Sequence, residues 1–194
     1  MKNIVKDYQW PSSFTGPQRK YSIKYESKID YKLLNSIEKF FQKHYGYKTI
    51  LFPSARAGIA SILRFLKIDR SKEVFVNKWV SHCIFNTVGR YSNVSTSFKS
   101  PNLALAIHKW GFEQVFPKRR NFKIIEDASH ALGARYKNKR IGNCQFGDIA
   151  VFSFHPVKII TSGEGGIITT NNKIYYERLM RLRNHGITRS KIFM

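Results

Sequence analysis

Hydrophobic and polar positions alternate along this chain with two different periods. Over residues 30–45 apolar side chains recur every three or four positions. Leu33, Leu34, Ile37, Phe40 and Phe41 share one face, Asp30 is placed to cap the start, and Gly46 to end it. Residues 49–52 form a short apolar run of strand length. Ser54 then caps a second helical repeat built from Ile59, Ile62, Leu63 and Leu66. Further strands are predicted at 73–76, 94–98, 103–107, 122–125 (closing on Glu126-Asp127), 149–154 and 166–170, the last two as partners. Helices are predicted at 81–90 and 172–184, the latter with Ile174, Leu179, Met180 and Leu182 as its apolar positions. Lys137-Asn138-Lys139 has the character of a hairpin tip. Residues 110–120 are irregular and basic, and no internal repeat or low-complexity tract occurs. Strands alternating with helices predict an α/β fold, a mostly parallel sheet with helices on both faces. Ligands of such sheets gather at the carboxyl ends of strands, where Asp127 falls.

Composition narrows the partners. At 194 residues, 42% hydrophobic and 14% aromatic, the chain can bury a core. We read residues 1–29 as an irregular arm and 30–194 as one domain. A count of 34 Lys+Arg against 12 Asp+Glu gives a formal charge of +22, which favours anionic partners. The lysines are scattered rather than blocked, and no helix-turn-helix, zinc or aromatic RNA-binding signature accompanies them. A solvated basic surface is therefore expected, with no nucleic-acid partner. Cys83 and Cys144 form neither a disulfide framework nor a metal-ligand spacing, so reduced structural thiols and no metal are expected. No signal-peptide core and no run of membrane-spanning length is present, which predicts a soluble, cytoplasmic protein with no membrane partner.

The sharpest candidate for chemistry is Lys158, set among Phe154, Pro156, Val157, Ile159 and Ile160. Most lysines lie on the surface. A buried one loses charge and becomes a nucleophilic amine, able to form a Schiff base with pyridoxal 5'-phosphate (PLP) opposite a carboxylate on the pyridine nitrogen. Asp127, at a strand end, is either a helix cap or that carboxylate. His130, three residues on, is either structural or beside the ring. Ser153 precedes Lys158 by five residues and would point to the same rim, able to donate to a phosphate oxygen. Residues 54–58 are either a plain helix cap or a phosphate turn at a helix N-terminus, and Arg56 favours an anion there.

Four segments carry a resemblance. They are Glu-Asp-Ala-Ser-His-Ala-Leu-Gly-Ala at 126–134, Gly-Asp-Ile-Ala-Val-Phe-Ser-Phe-His-Pro-Val-Lys at 147–158, Gly-Glu-Gly-Gly at 163–166, and Arg-Asn-His-Gly-Ile-Thr at 183–188. They resemble the sugar aminotransferases of the DegT/DnrJ/EryC1/StrS family, densely from 124 to 188 and more loosely from 35 to 86. The resemblance implies the large PLP-binding domain of the aspartate aminotransferase fold (type I), working as a homodimer. It implies transfer of an amino group, from glutamate, to a nucleotide-linked keto-sugar, as in amino-sugar synthesis for cell-surface polysaccharide. By the same resemblance Lys158 is the catalytic lysine that bonds the cofactor, Asp127 holds the pyridine nitrogen, and His130 stands beside the ring. Ser153 is a phosphate ligand, with Arg56 and Ala57 in the phosphate turn, Arg56 replacing the usual threonine. Trp79, from the stretch 79–82, is the ring-stacking residue. A lysine at 158 separates the chain from the dehydratase-type branch. The family has a shorter-than-usual counterpart here over 97–123, and continues beyond the position of Met194 into a small C-terminal domain. The expectation is a large domain with that small domain missing: either a portion of such an enzyme or a truncated, catalytically inactive remnant.

Overall fold

A computed structural model describes residues 31–46, 48–114, 116 and 121–186. The arm at 1–29 and the cap Asp30 lie outside the described residues. In chain order the elements are α1 (Tyr31–His44), β1 (Lys48–Phe52), α2 (Ala55–Phe65), β2 (Glu73–Val76), α3 (His82–Gly89), β3 (Asn93–Ser95), β4 (Leu103–Ile107), β5 (Lys123–Asp127), β6 (Arg135–Tyr136), β7 (Lys139–Arg140), β8 (Ile149–Ser153), β9 (Gly166–Thr170) and α4 (Lys173–Arg183). Seven strands form one sheet in the order β1-β9-β8-β5-β4-β2-β3. All its neighbours pair in parallel except β9, which runs antiparallel to both β8 and β1. The central strands are buried on both faces, which is why their sequences read as continuous apolar runs rather than alternating ones.

One face carries α2, α3 and α4. Ile59, Ile62 and Leu63 of α2, Val88 of α3 and Leu179 of α4 pack on Ile50, Val76, Leu105, Ile125, Val151 and Ile168. The other face carries α1 over one half only, where Phe41 and Tyr45 meet Phe152 and Ile167. The remaining half is covered by rings. Phe75, Phe98, Phe116 and Phe122 lie with neighbouring centroids 5.1–6.0 Å apart over Ala104, Ala106 and Ile124. This explains why β3 stops at Ser95 rather than 98: Phe98 leaves the strand line to join that cluster. The apolar face predicted for α1 divides as well. Phe41 is buried and Ile37 partly covered, while Leu33, Leu34 and Phe40 are exposed, because the helix meets the sheet along a narrow seam.

Local chemistry sets the ends of the elements that matter below. Ser54 is extended (φ −161°, ψ 161°), and its Oγ accepts the Ala57 N–H at 3.2 Å, capping α2. Lys137 and Asn138, at φ 47° and 62°, form the two-residue turn of the β6–β7 hairpin. Gly166 opens β9 directly against the α2 cap, where a methyl group would overlap the backbone of Ser54 and Ala55.

Gly166→Ala is therefore expected to destabilise the fold by about 1–3 kcal/mol, as overpacking against backbone does. At Gly89 the nearest atom to a new methyl is Val94 Cγ2 at 3.7 Å, an ordinary contact. Urea unfolding of Gly166→Ala and Gly89→Ala should separate the two; equal midpoints would refute the crowding at the start of β9.

Candidate active site

The carboxyl ends of β4, β5 and β8 and the start of α2 open onto one cavity of about 610 Å³, a size typical of small-molecule sites. Arg56, Trp79, Asp127, His130, Ser153 and Lys158 all line it. Ala57 does not: it packs toward the main core, and its N–H is already taken by Ser54. Strand alternation decides which carboxylate reaches the cavity. Asp127 shares its side of β5 with Ile125, toward α2 and α3, whereas Glu126 turns to the opposite face. Asp127 is 5% exposed, and its Oδ1 accepts the Ser129 N–H at 3.0 Å.

Lys158 Nζ lies 2.6 Å from His130 Nε2. Burial in the cavity pushes the lysine below its usual 10.5, and the Asp127 carboxylate works against that shift. His130 is pushed below its usual 6.5 by burial and by the positive charge of Lys158. The apolar neighbours in sequence do not supply this burial. Val157, Ile159 and Ile160 are all exposed. The lysine is desolvated by the strand ends it leans across, not by the residues beside it in the chain.

Ser153 Oγ accepts the His155 N–H at 3.4 Å, and Arg56 is exposed at the cavity rim. Trp79 is 71% exposed, with its backbone oxygen accepting from Lys109 Nζ at 2.8 Å. His82, at the other end of the stretch considered for ring stacking, does not line the cavity, whereas Ser81 and Cys83 do. Cys83 Sγ is 3.2 Å from Ser81 Oγ. The other thiol, Cys144, is pushed up to about 12 by burial and is inert as a nucleophile at neutral pH.

Sequence reasoning missed Glu164, His155, Lys109 and Ser129 as lining residues. Glu164 stood within the Gly-Glu-Gly-Gly run, and its Oε1 lies 3.7 Å from His155 Nε2. For Lys109 no sequence signal separated it from the other lysines. Chemically, the cavity brings together an amine of reduced proton affinity, a buried carboxylate, an imidazole, and an arginine with a helix N-terminus.

An α/β sheet whose strand ends converge on a lysine and an aspartate is an architecture of aminotransferase large domains, and known proteins bear this out. Residues 114–193 match the DegT/DnrJ/EryC1/StrS aminotransferase family. The chain is 46% identical over 76 residues to the UDP-4-amino-4,6-dideoxy-N-acetyl-beta-L-altrosamine transaminase of Campylobacter jejuni, covering 39% of this chain and 20% of that one. It is 40% identical over 89 residues to the GDP-perosamine synthase of Escherichia coli O157:H7, covering 43% and 24%. Among solved structures, S. venezuelae DesV in complex with a ketimine intermediate superposes with a TM-score of 0.71 at 26% identity, covering 82% of this chain and 49% of that one. Helicobacter pylori PseC, an aminotransferase of pseudoaminic acid biosynthesis, gives 0.71 at 20% identity, covering 87% and 51%. The chain belongs to the DegT/DnrJ/EryC1/StrS aminotransferase family. Its alignments span about a fifth of these curated relatives and about half of the solved chains.

The lowered proton affinity of Lys158 is directly measurable. Aldehyde labelling with borohydride trapping, read residue by residue by mass spectrometry, should give Lys158 a midpoint below 10.5 and below those of exposed lysines. In Asp127→Asn the carboxylate that favours the ammonium form is gone, so the midpoint should fall further. A Lys158 midpoint equal to that of surface lysines would refute the desolvated amine.

Proposed function

We infer that residues 30–194 are the cofactor-binding large domain of a PLP-dependent aminotransferase acting on a nucleotide-linked keto-sugar, with glutamate as amino donor. The observation that carries this reading is that Lys158 and Asp127 line the same cavity, with the amine pushed toward its neutral form. The residues fit the cofactor. Lys158 would bond its aldehyde, and Asp127 would hold its pyridine nitrogen protonated. His130 would stand beside the ring, and Trp79 is placed to stack on it. Ser153, Arg56 and the N-terminus of α2 would take the phosphate, with Ala57 contributing only through the turn. Bound PLP supplies an electron sink for the substrate carbon.

The chain's own groups do the rest. Lys158, once released from the cofactor, is the base placed to move a proton at the substrate carbon. Its contact with His130 gives that proton a second resting place 2.6 Å away. Asp127, held by the Ser129 N–H, keeps its orientation while charge shifts across the site. The UDP- and GDP-sugar names of the relatives support a nucleotide-linked substrate, and the +22 charge is compatible with one.

A homodimer is part of this reading. An apolar groove of about 780 Å³ runs between α1 and the loop between β8 and β9, with Phe40, Ile159 and Ile160 on its walls. Exposed side chains of that kind, 56–63% accessible, favour a subunit interface. Among the described residues no helix is long and apolar enough to cross a membrane, which supports work in the cytoplasm. The rival reading is a catalytically inactive remnant, since the match covers only part of its relatives.

Adding PLP to the purified chain should produce a visible absorbance band that Lys158→Ala abolishes and Asp127→Asn shifts or weakens. No band in the wild type would refute cofactor binding. A band without turnover of UDP- or GDP-linked keto-sugars in the presence of glutamate would favour the remnant. Sedimentation should show a dimer that Phe40→Glu or Ile160→Glu dissociates; an unchanged wild-type monomer would refute the interface.

A further inference from the structure

Beside the Lys158 cavity lies a second concavity that the reaction does not account for. It holds about 460 Å³ and is walled by Asn77, Trp79, Ile107, Lys109, Trp110 and Phe112. Trp79, Ile107 and Lys109 also line the first cavity, so the two are continuous. Three large rings face solvent here: Trp79 is 71% exposed, and Trp110 and Phe112 are each 73% exposed. Single exposed apolar residues are ordinary, but three aromatic rings around one hollow are a recognition surface.

The hollow is held in shape. Trp110 has left-handed backbone angles (φ 56°, ψ 25°), which disfavour a bulky residue and persist where the surroundings impose them. Gln114 fixes the turn from both sides: its Oε1 accepts the Ile107 N–H at 2.8 Å, and its N–H donates to His108 Nδ1 at 3.1 Å. The His108 N–H donates to the Asp127 oxygen at 3.0 Å, tying the turn to the strand that carries the site. Lys109 stands at the junction. Its Nζ lies 4.5 Å from the Trp110 ring centroid and donates to the Trp79 oxygen.

We propose that this cleft binds the base of a nucleoside diphosphate, with Lys109 meeting the diphosphate where the cleft joins the Lys158 cavity. The π-faces of Trp110 and Phe112 suit a planar heterocycle, and stacking tolerates pyrimidine and purine alike. The cation sits between aromatic hollow and reactive amine, where the phosphates of a nucleotide-linked sugar would pass. The inference rests on the substrate class assigned above, but not on cofactor loading.

UDP and GDP, with inorganic diphosphate as the control, should be titrated against the whole chain by tryptophan fluorescence and calorimetry, with and without PLP. Saturable UDP or GDP binding is expected, at least tenfold tighter than diphosphate. Trp110→Ala should weaken it about tenfold to a hundredfold, Trp110→Phe should retain most of it, and Phe112→Ala should act in the same direction as Trp110→Ala. Lys109→Ala should weaken UDP and diphosphate together. Uptake of PLP, read by its visible band, should be unchanged in Trp110→Ala. Absent nucleotide binding, or binding equal to wild type in both Trp110→Ala and Phe112→Ala, would overturn the cleft even if PLP binds normally. Covering of the same rings by a second copy of the chain, detected as nucleotide-insensitive protection in the dimer, would overturn it too. Normal nucleotide binding without a PLP band would leave the cleft standing and refute the aminotransferase reading.

Discussion

An amine and an imidazole 2.6 Å apart, both half-buried, cannot comfortably hold a positive charge each. Burial presses both toward neutrality, and the charge of Lys158 presses His130 further. The Asp127 carboxylate pulls the other way on both groups. Three side chains from different segments thus set one another's protonation, and each depends on the strand ends staying in place. A site of this kind is poised for proton movement at little cost, because the competing forms lie close in energy. Remove the sheet geometry that brings β5 alongside β8 and the three groups become ordinary surface charges.

That geometry has a second support behind it. Glu126, the neighbour of Asp127, is fully buried on the opposite side of β5. Its Oε2 accepts the Gly142 N–H at 3.0 Å and lies 3.4 Å from His108 Nε2. Consecutive carboxylates therefore serve opposite faces of one strand. One meets the cavity, and the other ties β5 to the loop after the β6–β7 hairpin and to the turn after β4. The same His108 accepts from Gln114, so the aromatic hollow and the buried glutamate share a single histidine.

The strands, α2 and its Ser54 cap, the hairpin at Lys137-Asn138 and the helix capped by Asn172 were all readable from periodicity and turn chemistry, to within a residue or two. The convergence of Lys158 and Asp127 followed from strand ends and motif order. Other features were not readable, for physical reasons. A helix whose apolar face is only half covered looks the same in sequence as one fully covered, so α1 hid the exposure of Leu33 and Phe40. The burial of Lys158 came from distant strand ends rather than from Val157 and Ile159, and linear neighbours carry no record of that. Lys109 and Trp110 gave no periodic signal because their role depends on a left-handed turn set by Gln114. Ala57 illustrates the opposite error: its place in the turn was right, but the Ser54 cap had already claimed its N–H.

The reversed strand β9 has a mechanical effect. Ser153 pairs with Gly166, so the loop bearing Lys158 is pinched shut at its base by adjacent, opposed strands. It is a closed handle rather than a long crossover. The number of residues in that handle, and not the flexibility of the chain, then governs how far the amine stands out from the sheet. Since Gly166 is also wedged against the cap of α2, neither foot of the handle can slide to compensate for a change in its length.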